Sequence, residues 1–169
     1  MPGSGKGLLT KAAKDLGIPV IVLGDIVREK AKERKVKPLE AGQRIRDLYG
    51  PAGVALLAKE KLRSLGDVVF IDGVRSRYEV EVFKELGDVV IIAIHASPKK
   101  RFERLYKRGR PDDPKSWEEF LKRDEKELSR GIAKVIARAD FVVDNNEDDE
   151  EKVYRRCKDT IKKALERDP

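Results

Sequence analysis

The stretch Met-Pro-Gly-Ser-Gly-Lys-Gly, residues 1 to 7, opens the chain and decides its fold. Gly3 and Gly5 can adopt backbone φ values that other residues avoid, so that successive N–H groups can turn toward a common centre. The helical pattern that begins at Lys6 places a positive helix N-terminus at the same point, and the lysine adds a full charge. The heptad therefore predicts a loop that wraps an anion.

The same heptad matches most of the P-loop motif G-x-x-x-x-G-K-[ST], in which the lysine contacts the β- and γ-phosphates of a nucleotide. The sequence begins after the place of the motif's first glycine, and Gly7 stands where a serine or threonine would contact Mg²⁺. A flexible terminus rich in glycine and serine is the alternative interpretation. The P-loop interpretation assigns the donor phosphates to Gly3, Ser4, Gly5, Lys6 and Gly7.

The composition of the 169 residues indicates one cytoplasmic domain with a sizeable core. No apolar run reaches the length of a membrane span, and no signal-peptide pattern is present. Cys157 is the only cysteine, which excludes a disulfide framework and a zinc cluster. Charged residues make up 41% of the chain, and Gln43, Asn145 and Asn146 are its only side-chain amides. This bias is typical of proteins from very hot environments.

The net charge of +7 is concentrated in one segment. Seven of the residues from Lys99 to Arg110 are basic and only Glu103 is acidic, which gives that segment a charge of +6. A nucleic-acid-binding protein more often carries a broad basic face with exposed aromatic side chains. The dense cluster suits a small and highly charged partner, such as a nucleotide, at least as well, and nucleic acid is the least favoured partner.

Four short apolar runs are typical of buried parallel strands, and helical spacing fills the sequence between them. The runs are Pro19–Leu23, Val68–Ile71, Val89–Ile94 and Phe141–Val143. The predicted helices span residues 6–16, 26–35, 39–49, 52–64, 77–86, 98–107, 116–136 and 148–167. This alternation predicts an α/β fold of three layers, with helices on both faces of a parallel sheet. Because a P-loop follows a strand and none precedes it here, we expect the N-terminal strand to be missing from this chain.

Charged residues follow each predicted strand, at the sheet edge where ligands of parallel α/β proteins bind. The four strand ends are Gly24–Arg28, Asp72–Arg75, His95–Pro98 and Asp144–Asn146. Ordinary polar turns are the alternative interpretation for any one of them. All four together, in a chain that opens with a P-loop-like heptad, favour a binding site at that edge.

The pattern resembles the nucleoside monophosphate kinases. The segment Gly24–Arg28 is similar to the adenylate kinase stretch whose arginine holds the phosphate of the acceptor, and Asp72–Arg75 is similar to the next acceptor motif. Arg110–Asp113, followed by Arg123, resembles the arginines and aspartates of the adenylate kinase lid. The segment Ala139–Asn145 is similar to the last strand and loop of dephospho-CoA kinase.

The chain is most similar overall to an archaeal nucleotide-kinase family related to both enzymes. The shared motifs are Met-Pro-Gly-Ser-Gly-Lys from residue 1, Asp-Gly-Val-Arg from residue 72 and His-Ala-Ser-Pro from residue 95. That family continues its P-loop with Lys-Ser, so Gly7 is a departure that bears on Mg²⁺ coordination. The resemblance covers nearly the whole chain.

The resemblance implies a single P-loop kinase-like domain over residues 1–169, with an acceptor-binding helical insertion over 25–64 and a lid region over 97–130. It implies transfer of a phosphoryl group from ATP, with Mg²⁺, to a nucleoside monophosphate such as AMP. A dephospho-CoA-type kinase and a non-catalytic nucleotide-binding or regulatory protein are the alternatives. The implied catalytic residues are Lys6, Arg110 and Arg123, and Arg108 joins the two arginines in the lid. The implied acceptor residues are Asp25, Arg28, Asp72 and Arg75.

Several of these residues also have a purely structural interpretation. Asp72 either holds Mg²⁺ through water or pairs with Arg75 in a turn. Asp25 is more readily explained as the N-cap of the helix from Ile26, or as a brace for Arg28, than as a base. Arg101 and Arg104 share a helix face with Arg108, and an exposed basic face is the default expectation for those that do not meet phosphate.

Overall fold

The structure, a computed structural model, describes residues 1–167 and is built of helices that alternate with short strands. In chain order the elements are α1 (Lys6–Asp15), β1 (Val20–Val22), α2 (Leu23–Glu33), α3 (Pro38–Tyr49), α4 (Gly53–Leu62), β2 (Phe70–Asp72), α5 (Arg77–Lys84), β3 (Ile92–His95), α6 (Pro98–Arg108), α7 (Trp117–Ser129), α8 (Ile132–Ile136), β4 (Phe141–Asp144) and α9 (Glu150–Leu165). Within the described range, no helix is long and apolar enough to cross a membrane.

The described residues form two compact units. The first unit contains Met1–Leu16 and the chain from Val90 onward, and the second contains Gly17–Val89. Each unit contains one pair of parallel strands, β3 with β4 in the first and β1 with β2 in the second. The parallel α/β class predicted from the apolar runs is confirmed. The sequence predicted one continuous sheet. Within residues 1–167 each strand instead hydrogen-bonds to one neighbouring strand, which gives two separate pairs.

In the first unit, two helices and a strand pair provide a frame for the glycine-rich loop. The strands pair in the register Ile92↔Phe141 through His95↔Asp144, so that the residues that follow β4 emerge beside the end of β3. Helices α1 and α9 pack together, and on each of them the buried residues recur at helical spacing. The buried residues are Leu9, Ala12 and Ala13 on α1, and Val153, Cys157 and Ile161 on α9.

In the second unit, four helices surround the other strand pair. The strands pair in the register Val20↔Phe70 through Val22↔Asp72, and Asp72 therefore ends β2 opposite the last residue of β1. The buried core draws residues from β1 and from α2 to α5. Its most central members include Leu23, Ile45, Ala55, Ala58 and Phe83.

Most predicted helix boundaries are confirmed to within three residues, and side-chain caps mark the start of α5, α6, α7 and α9. Ser97 accepts the N–H of Lys100 as the N-cap of α6, with Pro98 in the first turn. Two predictions are wrong. The helix predicted over 116–136 is broken at Gly131, whose φ of 96° ends α7 and starts α8. Helix α2 begins at Leu23, so Asp25 lies inside its first turn and cannot be its N-cap.

Candidate functional site

The glycine-rich loop of the first unit has the backbone conformation that an anion-binding turn requires. Gly3 has φ 78° and Gly5 has φ 93°, and Gly5 is the residue that precedes α1. Gly5 is the N-cap residue of α1 and supplies no side-chain hydrogen bond to the helix. Its first N–H groups are therefore available to an anion, which the helix dipole also favours. Residues 3 to 7 thus combine two left-handed glycines with the N-terminus of α1.

Close neighbours provide a second reason for glycine at both positions. A Cβ atom at residue 3 would lie 2.7 Å from the carbonyl oxygen of Arg101, and a Cβ at residue 5 would lie 2.1 Å from Nδ2 of Asn145. A Cβ at Gly7, by contrast, would meet nothing within 4 Å. The loop is thus closely packed on the side that faces α6 and β4, and open at its last residue.

The polar side chains of the loop differ in their surroundings. Lys6 is half-buried, and its Nζ donates a hydrogen bond of 3.4 Å to the carbonyl oxygen of Met1. Ser4 is 1% exposed, and within the described part of the chain its hydroxyl has no hydrogen-bond partner. A buried hydroxyl without a partner is costly, so a ligand oxygen in the loop would satisfy it.

Asn145, the first residue after β4, binds the loop directly. Its Nδ2 donates to the carbonyl oxygen of Ser4 at 2.8 Å in a buried hydrogen bond. Arg104 donates from Nη2 to the backbone oxygen of Asn145 at 2.9 Å and to Oδ1 of its side chain at 3.2 Å. The sequence analysis missed both contacts. The signal for them was that two of the chain's three amides lie at the end of the last predicted strand.

Arg101 connects the loop to two helices of the first unit. It is 4% exposed and forms an ion pair with Asp124 of α7 through both terminal nitrogens. The same guanidinium donates to the carbonyl oxygens of Pro2 at 3.3 Å and of Ala96 at 3.2 Å. The expected exposed basic face is therefore wrong for Arg101 and Arg104, because a carboxylate and several carbonyl groups attract these side chains inward.

The predicted lid arginines meet at the carboxylate of Asp113, whose side chain is 2% exposed. Arg108 donates from Nε at 2.8 Å, Arg123 from Nη1 at 3.1 Å, and the backbone N–H of Arg110 at 3.0 Å. The Arg108 guanidinium, with these other donors, holds the pKa of Asp113 well below its usual range. The structure thus brings Arg108 and Arg123 together, while the side chain of Arg110 is exposed.

The predicted acceptor residues belong to the second unit. Arg28 donates from Nε to Oδ1 of Asp25 at 3.1 Å, so Asp25 braces Arg28, as one of the two structural interpretations predicted. Asp72 ends β2 and Arg75 is exposed three residues later. The backbone of Arg75 is fixed by Glu79, whose Oε2 accepts its N–H at 2.7 Å within a capping box. Burial raises the pKa of the Glu79 carboxyl.

Comparisons with known proteins show the family of this chain. A family model described as an AAA domain matches residues 1–122. A UPF0200 protein of Staphylothermus marinus is 45% identical over 172 residues, which cover 99% of this chain and 90% of the relative. UPF0200 proteins of Pyrococcus abyssi and Sulfurisphaera tokodaii are 46% and 48% identical, and each alignment covers 98% of this chain and 94% of the relative.

A solved structure shares the fold at low sequence identity. The crystal structure of TT1252 from Thermus thermophilus superposes with a TM-score of 0.64 at 18% identity and covers 97% of this chain and 93% of that one. At this identity the match concerns the fold alone. The family model includes the glycine-rich loop and β3 but ends before β4, whereas the alignment with the Staphylothermus marinus relative covers 99% of the chain. The chain therefore belongs to the UPF0200 family, and its glycine-rich loop is part of a P-loop domain of the AAA type.

Proposed function

We propose that the protein is an ATP-dependent nucleotide kinase that phosphorylates a nucleoside monophosphate such as AMP. The observation that carries the proposal is the loop of residues 3 to 7, with two left-handed glycines before a helix N-terminus. Phosphoryl transfer requires mainly positioning and charge neutralisation from the protein. A loop of this kind supplies both for the β- and γ-phosphates of the donor.

A polyphosphate fits the residues of the loop. Lys6 provides a charge, and the buried Ser4 hydroxyl provides a hydrogen-bonding group that no other described residue satisfies. Gly7 offers no oxygen to Mg²⁺, and no group of three acidic, histidine or cysteine residues in the described range is arranged to hold a metal. Nucleotide-bound Mg²⁺ depends largely on phosphate oxygens and water. We assign Asp72 to a contact with this Mg²⁺ through a water molecule.

The arginines divide between two tasks in this proposal. Arg28 and Arg75 bind the phosphate of the acceptor, for which the planar guanidinium suits bidentate contact. Arg110 and Arg123, with Arg108, close over the transferring group. An oxygen of the acceptor phosphate attacks the γ-phosphorus of ATP, and the bond between that phosphorus and the β-γ bridging oxygen breaks. ADP is the leaving group, and the acceptor becomes a nucleoside diphosphate. Lid closure excludes water, which would otherwise accept the phosphoryl group.

A non-catalytic nucleotide-binding role is the second candidate, and Gly7 is the observation that favours it. Without a hydroxyl at that position the chain loses one contact to the metal ion that most P-loop enzymes make. This role predicts that ATP binds with ordinary affinity and that no phosphoryl group reaches any acceptor, even at saturating Mg²⁺.

Calorimetry and a transfer assay with ATP, AMP and dephospho-CoA test the proposal. We expect Mg·ATP to bind, AMP to bind separately, and ADP to accumulate only when both are present. Arg75→Ala should abolish AMP binding and spare ATP, whereas Arg77→Ala, an exposed arginine two residues later, should change neither. ATP binding without transfer to either acceptor would contradict the kinase. Equal loss of ATP and AMP in Arg75→Ala would contradict the assignment of that residue.

A further inference from the structure

The hydrogen bond from Asn145 to Ser4 also fixes the orientation of the Ser4–Gly5 peptide plane in the phosphate loop. No cis peptide is present in the described chain, so the Ser4 carbonyl and the Gly5 N–H point in opposite directions across one plane. Nδ2 of Asn145 holds that carbonyl at 2.8 Å. The Gly5 N–H is consequently directed away from Asn145, toward the other side of the loop.

The orientation of the Asn145 amide is itself fixed. Its backbone N–H donates to the carbonyl oxygen of His95 at 2.7 Å, which continues the β3–β4 ladder by one residue. Nη2 of Arg104 donates to both oxygens of Asn145, so Oδ1 must face Arg104 and Nδ2 must face Ser4. The amide is buried, and it packs so closely on the loop that a Cβ atom at residue 5 would lie 2.1 Å from Nδ2.

We propose that Asn145 is a positioning residue of the phosphate loop, and that Arg104 fixes it in that role. Asn145 prevents the Ser4–Gly5 peptide from flipping and so keeps the Gly5 N–H directed at the polyphosphate of the bound nucleotide. Glycine at residue 5 can adopt either orientation of this plane at little cost. An external hydrogen bond is therefore needed to select one orientation, and without it phosphate binding must supply the ordering free energy.

The inference rests on the proposed function only in so far as the loop binds phosphates. It does not require that the protein transfer them. It adds the end of β4 to the donor site, and it explains why an asparagine and not a longer or charged residue occupies position 145. An acidic side chain there would direct a lone pair at the Ser4 carbonyl, and a longer side chain would collide with Gly5.

Calorimetric titration of Asn145→Ala with Mg·ATP, and separately with inorganic tripolyphosphate, tests the proposal. We expect about tenfold weaker binding of both ligands, which corresponds to one lost hydrogen bond in a buried site. The matched control is Asn146→Ala, which removes the same amide one residue later. Asn146 contacts the N–H of Ser97 and the carboxylate of Asp144, and this control should bind both ligands like the wild type.

A merely structural role would lower the melting temperature of Asn145→Ala and leave the affinity of the folded protein unchanged. Wild-type affinity in this variant would overturn the proposal. If the alanine variant does not fold, Asn145→Ser, which removes the Nδ2 donor and adds no charge, replaces it. Wild-type affinity for both ligands in that variant would likewise overturn the proposal.

The outcomes for the wild type separate this inference from the proposed function. Tight binding of Mg·ATP without transfer to any acceptor contradicts the kinase and leaves the role of Asn145 to be decided by the variants. Transfer at the wild-type rate and affinity by Asn145→Ala supports the kinase and refutes the positioning role. A wild type that binds neither Mg·ATP nor tripolyphosphate refutes both.

Discussion

Gly7 is the residue at which the chain departs from its motif, and its surroundings make the departure testable. A Cβ atom at this position would meet nothing within 4 Å beyond its own helix, and the residue lies in the first turn of α1. We therefore expect Gly7→Ser to fold normally and to strengthen Mg·ATP binding by roughly tenfold, through one added contact to the metal ion. Titrations with ATP in the presence and absence of Mg²⁺ measure this effect.

Gly7→Ala is the matched control for this prediction. It gains at least as much helix propensity as the serine variant, about 0.5 to 1 kcal/mol relative to glycine, but its side chain carries no oxygen. The affinity for Mg·ATP should therefore rise in the serine variant only, and the affinity for metal-free ATP should rise in neither. Equal affinity of the two variants for Mg·ATP would show that the hydroxyl does not reach the metal ion.

Gly5 is the loop residue that the structure constrains most closely. Gly5→Ala places a Cβ 2.1 Å from Nδ2 of Asn145 and forces alanine to a φ of 93°. We expect it to lose ATP binding and to lower the free energy of unfolding by about 1 to 3 kcal/mol. Gly17→Ala separates the two causes, because Gly17 has a φ of 75° and open space around it. That control should retain ATP binding at a cost of about 1 kcal/mol.

At the scale of single residues, sequence analysis identifies what a local motif encodes and misses what depends on distant partners. The loop glycines were predicted because their spacing alone defines an anion-binding turn. Asn145 and Ser4 are 141 residues apart, and Arg101 and Asp124 are 23 apart. Nothing local in the sequence announces such pairs. A basic helix face is the expected interpretation of three arginines at helical spacing until their counter-charges are known.

The buried ion pair between α6 and α7 holds two predicted lid elements together. Asp124→Asn leaves Arg101 buried without a counter-charge, and we expect a loss of about 3 to 5 kcal/mol in the free energy of unfolding. Glu118→Gln, on the same helix, breaks a pair with Lys122 whose side chains are 78% and 73% exposed. That control should cost less than about 0.5 kcal/mol. Urea denaturation of both variants decides whether burial is the cause.

The connection between α6 and α7 should also give the protein a pH-dependent stability. The pKa of Asp113 is depressed in the folded state, so its contribution is present above the unfolded pKa, about 3.9, and is lost as the pH falls through the folded value. Asp113→Asn should therefore be less stable than the wild type by about 1 to 3 kcal/mol at pH 7. The difference in the free energy of unfolding between the variant and the wild type should decrease below about pH 4. Urea denaturation from pH 7 to pH 2 measures both quantities.

A difference that stayed constant down to pH 2 would show that Asp113 contributes through packing and not through its charge. The other carboxylates titrate in both proteins, so their contribution cancels from the comparison. Arg108 and Arg123 should both lose this carboxylate partner in the variant, while Arg123 keeps its contacts with Asp112.

At the scale of elements, the sequence encodes the type of each helix and strand better than its ends. The apolar runs located all four strands, but only three or four residues of each form a ladder. The exact ends of the strands could not be predicted, because pairing depends on the neighbouring strand and not on the apolar run itself. The helix break at Gly131 was missed because an isolated glycine inside a helical pattern is often tolerated. Here its left-handed conformation separates α7 from α8.

At the scale of the whole molecule, charge is organised into local pairs and small networks. Glu147 accepts ion pairs from both Lys152 and Arg156, and Asp113 accepts them from both Arg108 and Arg123. The desolvation cost of such groups falls as the temperature rises, so networks contribute more to stability in hot than in cool conditions.

We therefore expect a melting temperature above about 90 °C, which is the range of hyperstable proteins. The free energy of unfolding should fall slowly as the temperature rises. The reason is that ion-pair networks contribute a growing share of it while the hydrophobic contribution reaches a plateau. Scanning calorimetry in a pressurised cell measures the transition. Glu147→Gln, which leaves Lys152 and Arg156 without their shared partner, should lower the melting temperature while changing the stability at 25 °C little. A wild-type transition at about 45 to 65 °C, the mesophilic range, would contradict the inference from charge and amide content.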